Sequence, residues 1–350
     1  MSYTKALYYP TIDIDDSEWI KNAILFWDEI DTIVPEAISS PYKNNDSRFL
    51  YDEGILKPLR LSPHDSILMN LQQEFLNFSE TEPALDFFRK MDNVSEGPTD
   101  DSHSEFYLHL GKLPYIIQGQ LRKAMDIGCN EWIKVSYNFA DYYMTLLATK
   151  LAKRKHMCLV TGYNKPYELS ASFDFNLSSF DKQKIAEGIL FKMVVNGIRI
   201  SRTASMIDLI AYKRKRRDEL GRFRSAFAKL TDQQNYDSVE SLAELEERVR
   251  CIYENDYLPA LHDVKWTLND SKISWLDKLG NYIATFFTPS LVMDKISVLS
   301  CGIGLGVSLL AWKTSNYIES RKVKHSNPYS YLLSLNEEDI LQDSEIDKNG

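Results

Sequence analysis

Cysteine and histidine are scarce in this chain, which contains four cysteines and six histidines among 350 residues. No two cysteines form a C-x-x-C pair, and no histidines form H-E-x-x-H or H-x-H, so the usual spacings of a zinc site are absent. Each cysteine lies in or beside an apolar run, which is typical of buried free thiols in a reducing compartment. We therefore predict no metal ion and no cofactor. The cysteines are Cys129, Cys158, Cys251 and Cys301.

The common catalytic and nucleotide-binding motifs are also missing. The sequence contains no Walker-type G-x-x-x-x-G-K-[ST] and no G-x-S-x-G elbow. A cluster of three glycines near residue 304 lies inside one apolar run, which excludes the dinucleotide fingerprint. His103, Glu105 and His109, which follow Asp100 and Asp101, could form a metal or acid–base cluster at the edge of a loop. Such polar loop residues are more often simply solvated, so we assign no catalytic residue.

The chain has no apolar leader and carries a net negative charge. Met1 to Lys5 leads directly into a strand-like segment without a cleavage site, which predicts a cytoplasmic protein. The formal net charge is −9, and a uniformly acidic surface repels nucleic acid and anionic lipid. Binding to either partner would therefore require a local basic patch.

Alternating strand and helix patterns predict an α/β fold in the first part of the chain. Residues 6–9 and 31–34 are short strand-like runs followed by proline, and Trp19, Ile20 and Ala23 lie between them on one helical face. This unit favours parallel strand pairing, with Asp16 or Ser17 as the helix cap. Further strands are expected over 106–110 and 157–161 and near 198–200, and further helices over 62–80, 114–126, 130–154 and 181–195.

Strand signals almost vanish beyond residue 203, where apolar residues recur three or four positions apart. This pattern predicts long antiparallel helices, with a kink or a break at Pro259. We therefore predict an α/β domain with a parallel or mixed sheet over residues 1–202, followed by a helical domain over 203–335. The last segment, 336–350, has six acidic residues against one lysine and is predicted to be an acidic flexible tail.

Several segments resemble a broad bacterial family of unknown function. These include Leu7-Tyr8-Tyr9-Pro10, Trp27-Asp28 and Ile33-Val34-Pro35 near the start, Leu159-Val160-Thr161 in the middle, and Arg217 to Arg224 and Asn327-Pro328-Tyr329 in the C-terminal part. The resemblance covers most of the chain and implies a bacterial, cytoplasmic α/β-plus-helical protein. It assigns no catalytic residues. Families of this kind are often found in mobile or defence-related loci, which suggests a defence or stress system.

A basic cluster is the first candidate binding site. Between residues 211 and 230, eight positive residues stand against Asp218 and Glu219, which gives a local charge of +6. Clusters of this kind bind anionic partners such as nucleic acid. The alternative is a solvated helix face that pairs with Glu244, Glu246 and Glu247 of the next helix. The candidate anion-binding or partner-binding residues are Lys213, Arg214, Lys215, Arg216, Arg217, Arg222 and Arg224.

An apolar segment, 282–312, is the second candidate. Its last 17 residues, from Ile296 to Trp312, carry no charge, which is close to the minimum length of a membrane-spanning helix. Gly302 and Gly306 form a G-x-x-x-G pair with Gly304 between them, a pattern that allows helices to pack closely in lipid. The alternative is a fully buried helix at the centre of the helical domain.

We therefore predict a non-catalytic interaction module, in a bacterial defence or stress system, that binds an anionic partner through a basic helix. A protein partner or homo-oligomer is favoured over nucleic acid, and a membrane is the least favoured partner. A membrane-perturbing effector that uses 282–312 is one alternative. An unrecognised hydrolase or nuclease is the other.

Overall fold

The structure is a computed structural model, and it describes residues 4–9, 11–62, 64–79, 105–124, 131–161, 181–196, 198, 200–201, 203–232, 236–261, 327–337 and 340. The strands are β1 (Lys5–Tyr8), β2 (Glu29–Pro35), β3 (Leu56–Leu61), β4 (Glu105–His109), β5 (Trp132–Ser136) and β6 (Cys158–Val160). The first six helices are α1 (Ser17–Phe26), α2 (Asn45–Asp52), α3 (Ser66–Ser79), α4 (Tyr115–Ala124), α5 (Tyr137–Lys155) and α6 (Lys182–Asn196). The later helices are α7 (Met206–Lys215), α8 (Arg217–Asp232), α9 (Leu242–Ile252) and α10 (Ser330–Glu337).

These residues form two compact units. One contains the described residues within Tyr3–Lys192 and Gln234–Glu246, and the other contains those within Met193–Gln233 and Glu247–Gly350 together with Met1–Ser2. The first unit holds all the strands named above, and the C-terminal region is helical. The predicted fold class, an α/β part followed by a helical part, is confirmed.

Four parallel strands form the main sheet, in the order β3-β2-β1-β6. The predicted β1–α1–β2 unit is therefore confirmed. The Asp16 carboxylate caps α1 by accepting a hydrogen bond from the Trp19 nitrogen at 2.9 Å, because the first turn of a helix leaves its N–H groups without intrahelical partners.

The two faces of the sheet are covered by different helices. On one face, Leu7, Ile33 and Leu159 belong to the same buried cluster as α3, α5 and the inner face of β4 and β5. On the other, the Tyr8 ring lies 4.6 Å from the Trp19 ring of α1, and Phe26 packs edge-on against Phe191 of α6. Because both faces of this parallel sheet are covered, β1 and β6 are short, nearly continuous apolar runs.

The elements α2 and β3 were not anticipated from the sequence. Gly54, at φ +71°, makes the turn between them, in a backbone region that glycine enters easily. β3 is an edge strand that contains Pro58 and exposes Lys57, so its apolar pattern is weak. Edge strands tolerate proline because one side of the strand has no partner to bond.

The predicted helix over 130–154 is wrong in its first turns. Residues Trp132–Ser136 form β5, which pairs antiparallel with β4, and α5 begins only at Tyr137. Ile133 is buried, whereas Trp132 and Lys134 are exposed. This alternation is typical of a half-buried strand, and it favours a strand over these residues, before the helical pattern of α5 begins.

Pro259 does not break the helix that follows α9. Residues Tyr253–Tyr257 form a π-turn, and the Leu258 nitrogen donates to the Tyr253 oxygen. Helical conformation then continues to residue 261. Because a proline ring clashes with the carbonyl four residues earlier in an α-helix, the wider turn accommodates Pro259 without ending the helix.

Several predicted features lie outside the described residues. These are the apolar segment 282–312 and, in the acidic tail, residues 338–339 and 341–350. The tail's first two residues, Asn336 and Glu337, belong to α10.

Candidate functional site

The basic cluster lies at a junction between two helices rather than along one helix. α7 ends at Lys215, Arg216 leaves the helical conformation at φ −106° and ψ 26°, and α8 begins at Arg217. Basic residues fill the last turn of α7, and Asp218 and Glu219 fill the first turn of α8. This order of charges complements both helix dipoles, so part of the cluster stabilises the junction itself.

The seven candidate residues differ in exposure. Lys213 and Arg224 are 7% and 8% exposed, and Arg222 is half-buried. Arg216 is half-buried as well and forms an ion pair with Glu219, at 3.1 Å from Nη1 to Oε1. The exposed members are Arg214, Lys215 and Arg217, which we call the junction cations.

Two of the acidic residues suggested as alternative partners of the cluster, Glu244 and Glu247, form contacts within or directly before α9. Glu247 forms an ion pair with Arg250 on the same helix. The Glu244 carboxylate accepts a hydrogen bond from the Glu240 nitrogen at 3.0 Å. These contacts stabilise α9 and the turn before it.

Buried tyrosines hold the junction against α10. The Tyr212 hydroxyl donates to the Tyr331 oxygen at 2.8 Å and lies 2.5 Å from the Ser334 hydroxyl. Phe223 of α8 packs against the rings of Tyr329 and Tyr331. Because Tyr212 directly precedes Lys213, the last turn of α7, which carries Arg214 and Lys215, packs on this buried support.

The histidine candidate at the edge of the loop is a structural residue. His109 is buried in β4, where Nδ1 accepts from the Gly111 nitrogen at 3.0 Å and Nε2 lies 3.3 Å from the Glu131 carboxylate. Burial lowers the pKa of His109, so the neutral ring is favoured. Both ring nitrogens are engaged, which leaves none to act as a base. His103, Asp100 and Asp101 lie outside the described residues, as does the side chain of Glu105.

The carboxyl edge of the main sheet contains a switch in strand order between β1 and β6, where α/β proteins often bind ligands. The loop after β1 has no glycine. Its Asp13 carboxylate accepts from the main-chain nitrogens of Ile14, Lys43 and Asn44, at 3.0, 2.7 and 2.9 Å, and so ties this loop to the loop after β2. This acidic, internally bonded loop differs from the glycine-rich loops that bind phosphate.

The amino edge of the same sheet holds a charged cluster that sequence reasoning missed. The two carboxylate oxygens of Glu29 form ion pairs with Lys5 of β1 and Lys57 of β3. Asp31, two residues further along β2, is 9% exposed, and burial raises its pKa to about 6. The alternation Glu29-Ile30-Asp31 is visible in the sequence, but the lysine of β3 could not be placed beside it because β3 was not predicted.

Gly302, Gly304, Gly306 and Trp312 lie outside the described residues. Within the part of the chain that the structure describes, no helix has both the length and the apolar character needed to span a bilayer. The same residues contain no group of three or more His, Cys, Asp or Glu side chains placed to hold a metal ion.

Comparisons of the chain with protein-family models, with curated proteins and with solved structures found no match.

Proposed function

We propose that this chain is a non-catalytic interaction protein that binds an acidic protein surface through the junction cations. The observation that carries the proposal is the exposure of Arg214, Lys215 and Arg217 side by side where α7 meets α8. A bacterial defence or stress system is the setting that the family resemblance suggests for such a protein.

The charge of the surroundings supports a local binding site. The chain as a whole carries −9, yet the segment 211–230 carries +6. An anionic partner is therefore repelled by the average surface and attracted only where the cations are concentrated. Attraction of this kind selects the docking position and speeds association more than it adds affinity.

The number of exposed cations favours an acidic protein over nucleic acid. A protein that binds DNA through its phosphates typically neutralises about 6–10 of them. Three exposed cations supply at most half of these contacts, and the remaining acidic surface opposes a long polyanion. Three ion pairs at the rim of a protein interface are an ordinary arrangement, in which they set orientation and partner choice.

A direct binding assay tests the proposal with three defined probes: a fluorescent poly-glutamate peptide, a single-stranded RNA of the same charge, and vesicles with and without phosphatidylserine. We expect saturable binding of the peptide at low salt. Changing Arg214, Lys215 and Arg217 to Glu should weaken it by about tenfold or more, since each reversed pair contributes about 0.5–1 kcal/mol.

A matched variant separates the site from net charge. Lys43, Lys134 and Lys153 are exposed outside the segment 211–230, and changing all three to Glu alters the net charge by the same amount. This control should bind the peptide nearly as wild type does. Equal losses in both variants, or no binding of the peptide by wild type, would contradict the proposal. Stronger binding of RNA or of anionic vesicles would assign the junction cations to those partners instead.

A further inference from the structure

The amino edge of the main sheet brings two carboxylates and two lysines onto one face. In the parallel register, Lys5 of β1 lies beside Glu29 of β2, and Asp31 lies beside Lys57 of β3. Residues two apart on a strand point to the same side, so the side chains of Glu29 and Asp31 share that face. We call these four residues the amino-edge cluster.

The two carboxylates are bonded very differently. Each oxygen of Glu29 contacts a lysine ammonium group. In contrast, Asp31 is more than nine-tenths buried, and its Oδ1 atom has no hydrogen-bond donor. A buried carboxylate oxygen without a donor destabilises a protein by at least about 1–3 kcal/mol, and such groups in native proteins are often satisfied by an ion or an ordered water.

We propose that Asp31 and Glu29 bind one divalent cation of the magnesium type at the amino edge of the sheet. Magnesium prefers hard oxygen ligands, takes one or two carboxylates from the protein and keeps several of its waters. The cluster offers two carboxylates as protein ligands, and water would complete the coordination shell.

The dimensions of a strand suit a shared ion. Side chains two residues apart leave the backbone about 6.6 Å apart, and Mg–O bonds are about 2.1 Å long, so two carboxylates that lean towards each other can meet at one ion. Lys5 and Lys57 do not block the approach, because their side chains are 51% and 50% exposed and can turn towards solvent. The ion would replace the two ammonium groups as the counter-charge of Glu29 and would supply the partner that Asp31 Oδ1 needs.

Titration of the full-length protein with Mn²⁺ alone, followed by the loss of the free-ion electron paramagnetic resonance signal, tests the inference. We expect one site per chain that Mg²⁺ displaces. Asp31→Asn should weaken Mn²⁺ binding by at least the roughly 10–100-fold that loss of even an outer-shell partner typically produces. Glu29→Gln should weaken it as well. The control is Asp52→Asn, which removes an exposed carboxylate of α2 and should leave the affinity unchanged.

A variant of opposite sign keeps the test decisive if Asp31→Asn fails to fold. Lys57→Met removes an ammonium group that competes with the ion for Glu29, on an edge strand where the side chain is half exposed, and should tighten Mn²⁺ binding several-fold. The melting temperature of each variant without metal identifies any unfolded protein. Absence of a Mn²⁺ site in wild type, equal affinity of the Asp31→Asn protein, or weaker binding after Lys57→Met would each overturn the inference.

Discussion

The Tyr212 hydroxyl donates to the main-chain oxygen of Tyr331 across 2.8 Å, although 119 positions separate the two residues. Both side chains are buried, and their rings lie 5.4 Å apart. The contact joins the last turn of α7 to α10, so a segment near the end of the sequence fixes the backbone that carries the junction cations.

Tyr212→Phe should lower the free energy of unfolding by about 1 kcal/mol, the typical net contribution of one hydrogen bond. The loss should not exceed this value, because the Ser334 hydroxyl also donates to the Tyr331 oxygen, at 2.9 Å, and so leaves this oxygen with a donor. Urea denaturation measures the change. Tyr107→Phe is the control, since Tyr107 is 61% exposed and its hydroxyl should contribute little. Equal effects of the two substitutions would contradict the importance of the contact.

Gly111 allows the turn after β4 to approach the end of β2. A β-carbon at this position would lie 2.9 Å from the Pro35 β-carbon and 3.0 Å from the His109 Nδ1 atom. Gly111→Ala should therefore destabilise the protein by about 1–3 kcal/mol, as overpacking of a core typically does. Gly119→Ala is a matched change in α4 with no atom within 4 Å, and it should stabilise the protein by about 0.5–1 kcal/mol because alanine is the better helix former. Thermal melts of both variants check the opposite signs.

The sequence predicts the parallel core well because its periodicity is strong. β1, α1, β2 and β6 are apolar segments bounded by cap or turn residues, and local pattern decides them. β3 and β5 are half-exposed strands, and their partners determine them more than their composition does. The candidate sites likewise combine features that local sequence shows with features that depend on contacts between distant segments. The basic cluster is visible as a run of letters, but the burial of Lys213 and Arg224 and the ion pair between Arg216 and Glu219 are not. The pairing of Asp31 with Lys57 needs the register of the sheet, which no single segment specifies.

Lys112 should make stability depend on pH. Lys112 is 3% exposed, and burial lowers its pKa from the usual 10.5 to about 7. Since the folded state binds this proton less tightly than the unfolded state does, the destabilisation is complete below about pH 7 and disappears as the pH rises towards 10.5.

At pH 6, Lys112→Met should therefore raise the free energy of unfolding by a few kcal/mol, on the order of 1.4 kcal/mol per unit of pKa shift. The difference in stability between the variant and the wild type should shrink as the pH rises to 10. Urea denaturation of both proteins across this pH range gives the difference directly. Lys134→Met, at an exposed site on β5, is the control and should give a difference that does not change with pH. A constant difference for Lys112→Met would show that its amine is charged throughout.

The buried pair of Lys184 and Glu187 on α6 gives the sharpest energetic test of the core. Nζ lies 2.8 Å from Oε2, and the side chains are only 7% and 2% exposed. Removal of one partner leaves the other charge buried, whereas removal of both leaves an apolar site of similar volume. Lys184→Met should therefore lower the free energy of unfolding by about 3–5 kcal/mol, and the double variant Lys184→Met, Glu187→Met should recover most of that loss. A double-mutant cycle by urea denaturation measures the coupling between the two residues. If the double variant were less stable than Lys184→Met alone, Lys184 would not be the group that stabilises the buried Glu187 carboxylate. Other contacts of Glu187 would then have to stabilise its charge.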